Sequence, residues 1–80
     1  MCFVYVLRSK KNNKRYIGST SRDVQERLHE HNFGSKGWTY NNRPFELVYA
    51  DELPDIKTAK EFEKFFKSGQ GRQCLDELNI

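Results

Sequence analysis

Five side chains in this sequence belong to types that act on charged substrates: Tyr5, Tyr16, Arg27, His31 and Glu63. Arg27 and His31 are four positions apart, a spacing that places both on one face of a helix. A guanidinium stays charged at any working pH and can bind two oxygens of an anion at once. The carboxylate of Glu63 suits a hard divalent ion, which prefers oxygen ligands and keeps several waters. These residues therefore predict a site for an oxyanion and a divalent ion.

Each of these residues also has an ordinary structural interpretation. Arg27 could pair with Asp23 or Glu30 along its helix, and Glu63 could pair with Lys67 one turn later for ~0.2–0.5 kcal/mol. Tyrosines are common in the cores of strands, and a lone helix histidine is more often structural. An unperturbed tyrosine, with a pKa of about 10, is also a poor base near pH 7. By themselves, the residue types favour the structural interpretation for Arg27 and for the two tyrosines.

Two hydrophobic segments near the start of the chain predict an antiparallel hairpin. Residues 2–7 are apolar on both faces, which indicates a central strand covered on both sides. Residues 9–14 contain Asn12 and Asn13 among lysines, a composition typical of a turn. Residues 16–18 resume a strand, so Tyr5 and Tyr16 are expected near the same end of the paired strands.

A helix is predicted to follow the hairpin. Thr20 and Asp23 have capping-box spacing, and Val24, Arg27, Leu28 and His31 then recur at helical spacing, so the helix is expected to end near residue 32 or 34. Residues 33–44 predict an ordered connection around Trp38 and Tyr40, which could stack on bases or anchor the loop.

The rest of the chain predicts one strand and two helices. Residues 45–50 alternate as a strand, and Thr58 with Glu61 has the spacing of a second capping box, so Glu61 is assigned to capping rather than to metal binding. An aromatic face follows on that helix, and residues 72–78 predict a short last helix. The fold class is therefore α/β (α+β), a small antiparallel sheet flanked by helices in the order β-β-α-β-α-α.

Length and composition predict one small domain over residues 1–80. The chain has 80 residues, of which 36% are hydrophobic, and cannot divide a core between two units. The two cysteines lack the close spacing of zinc or redox sites, and the first residues do not resemble a secretory signal. We expect a reducing, cytoplasmic location without a disulfide. No apolar stretch approaches the ~20 residues that span a bilayer.

Charge is distributed unevenly along the chain. Residues 1–45 contain nine Lys/Arg and three Asp/Glu, whereas residues 46–80 contain five and eight. A cationic region on a small domain suits a polyanion and speeds its encounter. A solvated surface explains the same pattern equally well.

Several motifs, taken in order, resemble the GIY-YIG nucleases. The tripeptide Phe-Val-Tyr at residues 3–5 stands where that family has Gly-Ile-Tyr, and Tyr-Ile-Gly at residues 16–18 matches the second tripeptide in full. Arg27 and His31 match a helix Arg and a downstream His. The segment at residues 63–69, Glu-Lys-Phe-Phe-Lys-Ser-Gly, is similar to the Glu-containing segment of the short, stand-alone members, as is the strand at residues 44–50.

This resemblance implies a DNA endonuclease that hydrolyses phosphodiesters with one Mg²⁺ or Mn²⁺ ion per site, as used in DNA repair or recombination. It implies that Glu63 holds the metal and that Arg27 and His31 act on the phosphate or the nucleophile. Tyr16 would lie beside the nucleophile, and Tyr5 would be a hydrogen-bonding group or an alternative base. A preorganised cation fits the charge that develops on phosphate oxygens.

The expected partner is DNA, with RNA as an open alternative. Because the chain has no room for added base-reading elements, we expect structure-dependent or weakly specific recognition, or a protein partner that supplies targeting. A catalytically weak nucleic-acid-binding module of the same fold is the alternative, since Phe3 replaces a glycine. The residues predicted to contact nucleic acid are Lys10, Lys11, Lys14, Arg15, Gly18 and Lys67.

Overall fold

The computed structural model describes residues 1–33 and 42–80. Within those ranges the elements are β1 (Cys2–Ser9), β2 (Arg15–Thr20), α1 (Val24–Phe33), β3 (Phe45–Leu53), α2 (Ile56–Lys67) and α3 (Gly69–Glu77). The predicted order and the three-stranded antiparallel sheet are confirmed. The predictions for Trp38 and Tyr40 lie outside the described residues. None of the helices in the described ranges has the length and apolarity to cross a membrane.

The central strand of the sheet is β1, as predicted, with the strand order β2-β1-β3. Val4 and Val6 face one side and are fully buried beneath α2 and α3. Tyr5 and Leu7 face the other side and pack with Val24 of α1. Alternating residues of one strand thus form two small cores, which is why the segment is apolar on both faces.

The hairpin between β1 and β2 is longer than predicted. The strands pair from Phe3 with Thr20 to Arg8 with Arg15. The turn closes when the Ser9 backbone N–H donates to the Lys14 carbonyl at 2.8 Å. Asn13 has a left-handed φ of 63° in this turn, a conformation that asparagine tolerates better than most residues.

A bulge in β3 interrupts the alternation that was predicted for that strand. Val6 pairs with Tyr49 and Leu7 pairs with Leu47, so Val48 is an extra residue between them. As a result, Leu47 packs on the α1 side of the sheet, whereas Val48 and Tyr49 both pack against the core on the α2 side. β3 also continues to residue 53, three residues beyond the predicted end.

The second predicted capping box is wrong, because Asp55 rather than Thr58 caps α2. The Asp55 side chain accepts a hydrogen bond from the Thr58 backbone N–H at 2.8 Å, and the helix starts at residue 56. Glu61 is exposed on the helix surface. Ser68 caps α3 in the same way by accepting from the Gly71 N–H, so the last helix begins three residues earlier than predicted.

Gly18 allows the closest packing within the sheet. It pairs directly with Tyr5, and a Cβ atom built on Gly18 would lie 2.5 Å from the Tyr5 hydroxyl and 3.1 Å from Cε1 of Tyr16. The ring of Tyr5 therefore occupies the space above the glycine. Any larger residue at position 18 must displace that ring.

We expect Gly18→Ala to destabilise the domain by ~1–3 kcal/mol, because an added methyl group overpacks the contact with Tyr5. Gly69→Ala is the matched control, since a Cβ atom at that position meets nothing within 4 Å. Its stability should equal wild type or exceed it by up to ~1 kcal/mol. Urea unfolding of both variants measures the difference. Equal urea midpoints for Gly18→Ala and wild type would contradict the conclusion that the Tyr5 ring requires glycine at position 18.

Candidate active site

Tyr5, Tyr16 and His31 form a compact cluster between the hairpin and α1. The Tyr5 hydroxyl and His31 Nε2 are 3.1 Å apart, within hydrogen-bonding distance. The centroids of the Tyr16 and His31 rings are 4.5 Å apart, and those of the two tyrosines are 6.4 Å apart. The hairpin register brings the two tyrosines to one face, and α1 adds the histidine. Tyr5 and His31 are buried, whereas Tyr16 is partly exposed.

Arg27 lies one helical turn before His31 and contributes the cation of the cluster. Burial tends to lower the pKa of Arg27, but hydrogen bonding with Tyr5 and Glu30 raises it above the ordinary value, so the guanidinium is charged. Its terminal nitrogen donates to Glu30 Oε1 at 3.0 Å. The surface pair that the sequence offered as an alternative is therefore present.

Glu30 is a residue of the site that the sequence interpretation treated only as a surface partner. It accepts two hydrogen bonds from Arg22, at 2.7 and 3.0 Å, in addition to the one from Arg27. Hydrogen bonds from Arg22 and then Arg27 hold the pKa of this exposed carboxyl below its usual value. Glu30 thus restrains the guanidinium of Arg27 from the solvent side. The sequence signal for this role was the position of Glu30 three residues after Arg27, a spacing that allows an ion pair on one helix face.

Glu63 approaches the same sheet edge from α2, on the opposite face. Its Oε1 accepts from the Ser19 hydroxyl at 2.7 Å and its Oε2 accepts from Lys67 Nζ at 2.8 Å. Burial raises the pKa of Glu63, but the hydrogen bonds from Lys67 and Ser19 outweigh it and keep the pKa below the ordinary value. Glu63 is therefore a carboxylate.

Charged groups on both faces of the sheet influence the pKa of Tyr5. Burial raises the pKa of Tyr5, Arg27 opposes that change, and the charges of Tyr16 and Glu63 add to it. The buried phenol of Tyr5 is therefore protonated and unsuited to act as a base at neutral pH. Burial, followed by the charge of Arg27, lowers the pKa of His31, so its imidazole is neutral there.

Glu63 fits one kind of metal site. Among residues 1–33 and 42–80 no group of three or more His, Cys, Asp and Glu side chains could enclose an ion. Mg²⁺ does not need such a cage, because it is commonly held by one or two carboxylates together with waters and substrate phosphate. The Glu63 side chain is 25% exposed, and its Oε1 is held by a neutral hydroxyl. An ion bound there would compete with Lys67 for Oε2.

The residues predicted to contact nucleic acid occupy different places. Lys14, Arg15 and Lys67 line one cleft, which also reaches Tyr16. Arg15 is held by Asp76 at 2.5 Å. The two remaining lysines, Lys10 and Lys11, are exposed in the hairpin turn, whereas Gly18 is buried beneath the tyrosine rings.

The sheet and its flanking helices define a small α/β domain that carries hydroxyl, guanidinium and carboxylate groups at the β2 edge. The family model of the GIY-YIG catalytic domain matches residues 1–74. The chain therefore belongs to the GIY-YIG family, a nuclease family whose substrates are nucleic acids. No curated protein and no solved structure matches the chain.

The lowered pKa of His31 predicts a loss of stability in mild acid. The pKa of His31 is lower in the folded chain than its value of 6.5 in the unfolded chain, so the neutral histidine stabilises the fold at pH values above 6.5. This stabilisation is lost as the pH falls through the folded-state pKa. We expect the free energy of unfolding to decrease from pH 7.5 to 5.5, and the decrease to be smaller in His31→Gln. His29→Gln, on the exposed side of α1, is the control. Urea unfolding across this range measures the slope, and identical slopes in His31→Gln and wild type would contradict the assignment.

Proposed function

We propose that this protein is a metal-dependent endonuclease that hydrolyses DNA phosphodiesters with one Mg²⁺ or Mn²⁺ ion. The observation that carries the proposal is that β2 contacts two of the predicted side chains: Tyr16 packs on His31, one turn after Arg27, and Ser19 donates to Glu63. Family membership supports the nuclease class, and these contacts support the roles proposed for the side chains.

The charged groups would act on the phosphate. Arg27 stays protonated and would bind its non-bridging oxygens, whose negative charge increases in the transition state. Glu63 would hold the divalent ion, which supplies Lewis-acid stabilisation of the phosphoryl group and the leaving oxygen. Glu30 positions Arg27, and Ser19 positions Glu63.

The aromatic cluster would position the attacking water. Tyr16 is the more accessible tyrosine and lies against His31, so it would position that water. Neutral His31 has a lone pair that can accept a proton directly or through Tyr16. Tyr5 is buried, and its hydrogen bond fixes the His31 ring. Of the two roles that the resemblance implied for Tyr5, this mechanism therefore assigns it the hydrogen-bonding, positioning role rather than that of a base.

A weakly catalytic binding module is the second candidate, and one observation favours it. Phe3, which replaces the family's glycine, packs against the same cluster as Tyr5 and Tyr16 and adds a large side chain there. A panel of branched, duplex and single-stranded DNA and RNA, incubated with Mg²⁺, Mn²⁺ or EDTA, separates the candidates. Metal-dependent cutting supports the enzyme and identifies its preferred substrate. Binding without cutting supports the module, and a protein partner would then supply the activity or the targeting.

We expect Glu63→Gln to reduce metal-dependent cleavage at least a hundredfold, because the change removes the anionic ligand for the ion. DNA affinity and the urea midpoint should stay near wild type, since the hydrogen bond from Ser19 can be kept by the amide oxygen. Glu61→Gln, on the exposed surface of the same helix, is the matched control and should cut normally. Wild-type cleavage by Glu63→Gln would contradict the metal assignment.

Arg27→Ala should lower turnover by about a hundredfold or more, because it removes a donor whose contact strengthens as phosphate charge develops. Arg22→Ala is a close control, since both arginines pair with Glu30 but only Arg27 reaches Tyr5. Single-turnover cleavage and DNA binding are measured separately for both. If Arg27→Ala weakens binding and leaves the single-turnover rate unchanged, Arg27 only positions the substrate.

A further inference from the structure

A basic cleft of about 900 Å³ lies between the β1–β2 hairpin and the α2–α3 pair. The strands β1 and β2, the turn between them, and the helices α2 and α3 all contribute cations to it. Its charged lining residues are Arg8, Lys14, Arg15, Lys67, Arg72 and Asp76. Five cations therefore face one carboxylate, although the second part of the sequence is acidic as a whole.

The chemistry of the lining favours a polyanion over a small organic ligand. Pockets for small molecules are mostly apolar with a few placed polar groups. Here the charged side chains dominate, and they are spread along an open groove. A nucleic-acid backbone, with one negative charge per nucleotide, matches such a row of cations.

Two of the cations are available for a ligand. Within the described residues, the side chains of Lys14 and Arg72 form neither ion pairs nor hydrogen bonds, and both are exposed. The other cations are already engaged: Arg8 donates weakly to the Asn79 carbonyl at 3.3 Å, and Arg15 donates to Asp76 and to the Ile80 carbonyl.

The cleft is continuous with the candidate active site. Tyr16 contacts His31 on one side and lines the cleft on the other. Lys67 also lines the cleft while its amino group donates to Glu63. A strand whose scissile phosphate lies at Arg27 and Glu63 would therefore have its flanking nucleotides directed along these cations.

We propose that this cleft binds the nucleic-acid backbone on one side of the cleaved bond, with Arg72 and Lys14 as phosphate contacts. The proposal rests on the proposed nuclease function. Arg72, on α3, joins the hairpin lysines in a single binding surface. Asp76 forms an ion pair with Arg15 in the free protein, so a phosphate that binds Arg15 must displace this carboxylate.

Binding is measured in the Glu63→Gln background, so that the labelled 20-nucleotide DNA, single-stranded or duplex, is not cut. We expect Arg72→Gln and Lys14→Gln each to lower the log–log salt slope of binding by about one, with losses that add in the double variant. Asp76→Asn should strengthen binding and steepen the slope, because it removes the carboxylate charge that competes with phosphate for Arg15. Lys57→Gln is the matched control, an exposed cation on α2 outside the cleft. Urea midpoints confirm that each variant is folded.

The outcomes separate this proposal from the nuclease proposal. If Arg72→Gln, Lys14→Gln and Asp76→Asn all bind with the affinity and salt slope of their parent while wild type still cuts DNA, the cleft is not the backbone path. If wild type cuts nothing with any metal but the three variants change binding as expected, the cleft is supported and the enzymatic proposal fails. DNA extended stepwise on one side of the cut should gain affinity in the parent protein but not in the double variant. Equal gains in both proteins would overturn the proposal.

Discussion

The close approach of the Tyr5 ring to Gly18 is the constraint on which the site depends. It requires the hairpin register that pairs these two residues, because no side chain larger than hydrogen fits below the ring. With the ring in this place, its hydroxyl meets His31 at 3.1 Å and lies near Arg27. The strand pair, the first helix and the polar cluster are thus fixed by one packing contact between β1 and β2.

Opposing electrostatic influences give the groups of the site distinct protonation states. Tyr5 and His31 are buried, which favours their neutral forms. Arg27 and Glu63 are also partly removed from water, yet hydrogen bonds keep the first cationic and the second anionic. Neutral phenol and imidazole groups therefore lie near the cationic Arg27 on one face of the sheet, and the anionic Glu63 lies on the other face. This separation of roles suits chemistry on a charged ester.

The charged partners of these groups also link the site to the rest of the surface. Lys67 connects Glu63 to the basic cleft, and Glu30 connects Arg27 to the outer face of α1.

Local periodicity and residue type were enough to predict the order of elements, the central position of β1 and the kinds of chemical group present. They also indicated pairs one turn apart on a helix, such as Glu63 with Lys67. The bulge at Val48, the contact of Ser19 with Glu63, and the cleft that places Arg72 beside the hairpin became evident only in the folded structure. Such features depend on strand register and helix docking, which join residues far apart in the chain and are fixed by packing of the whole domain rather than by neighbouring residues.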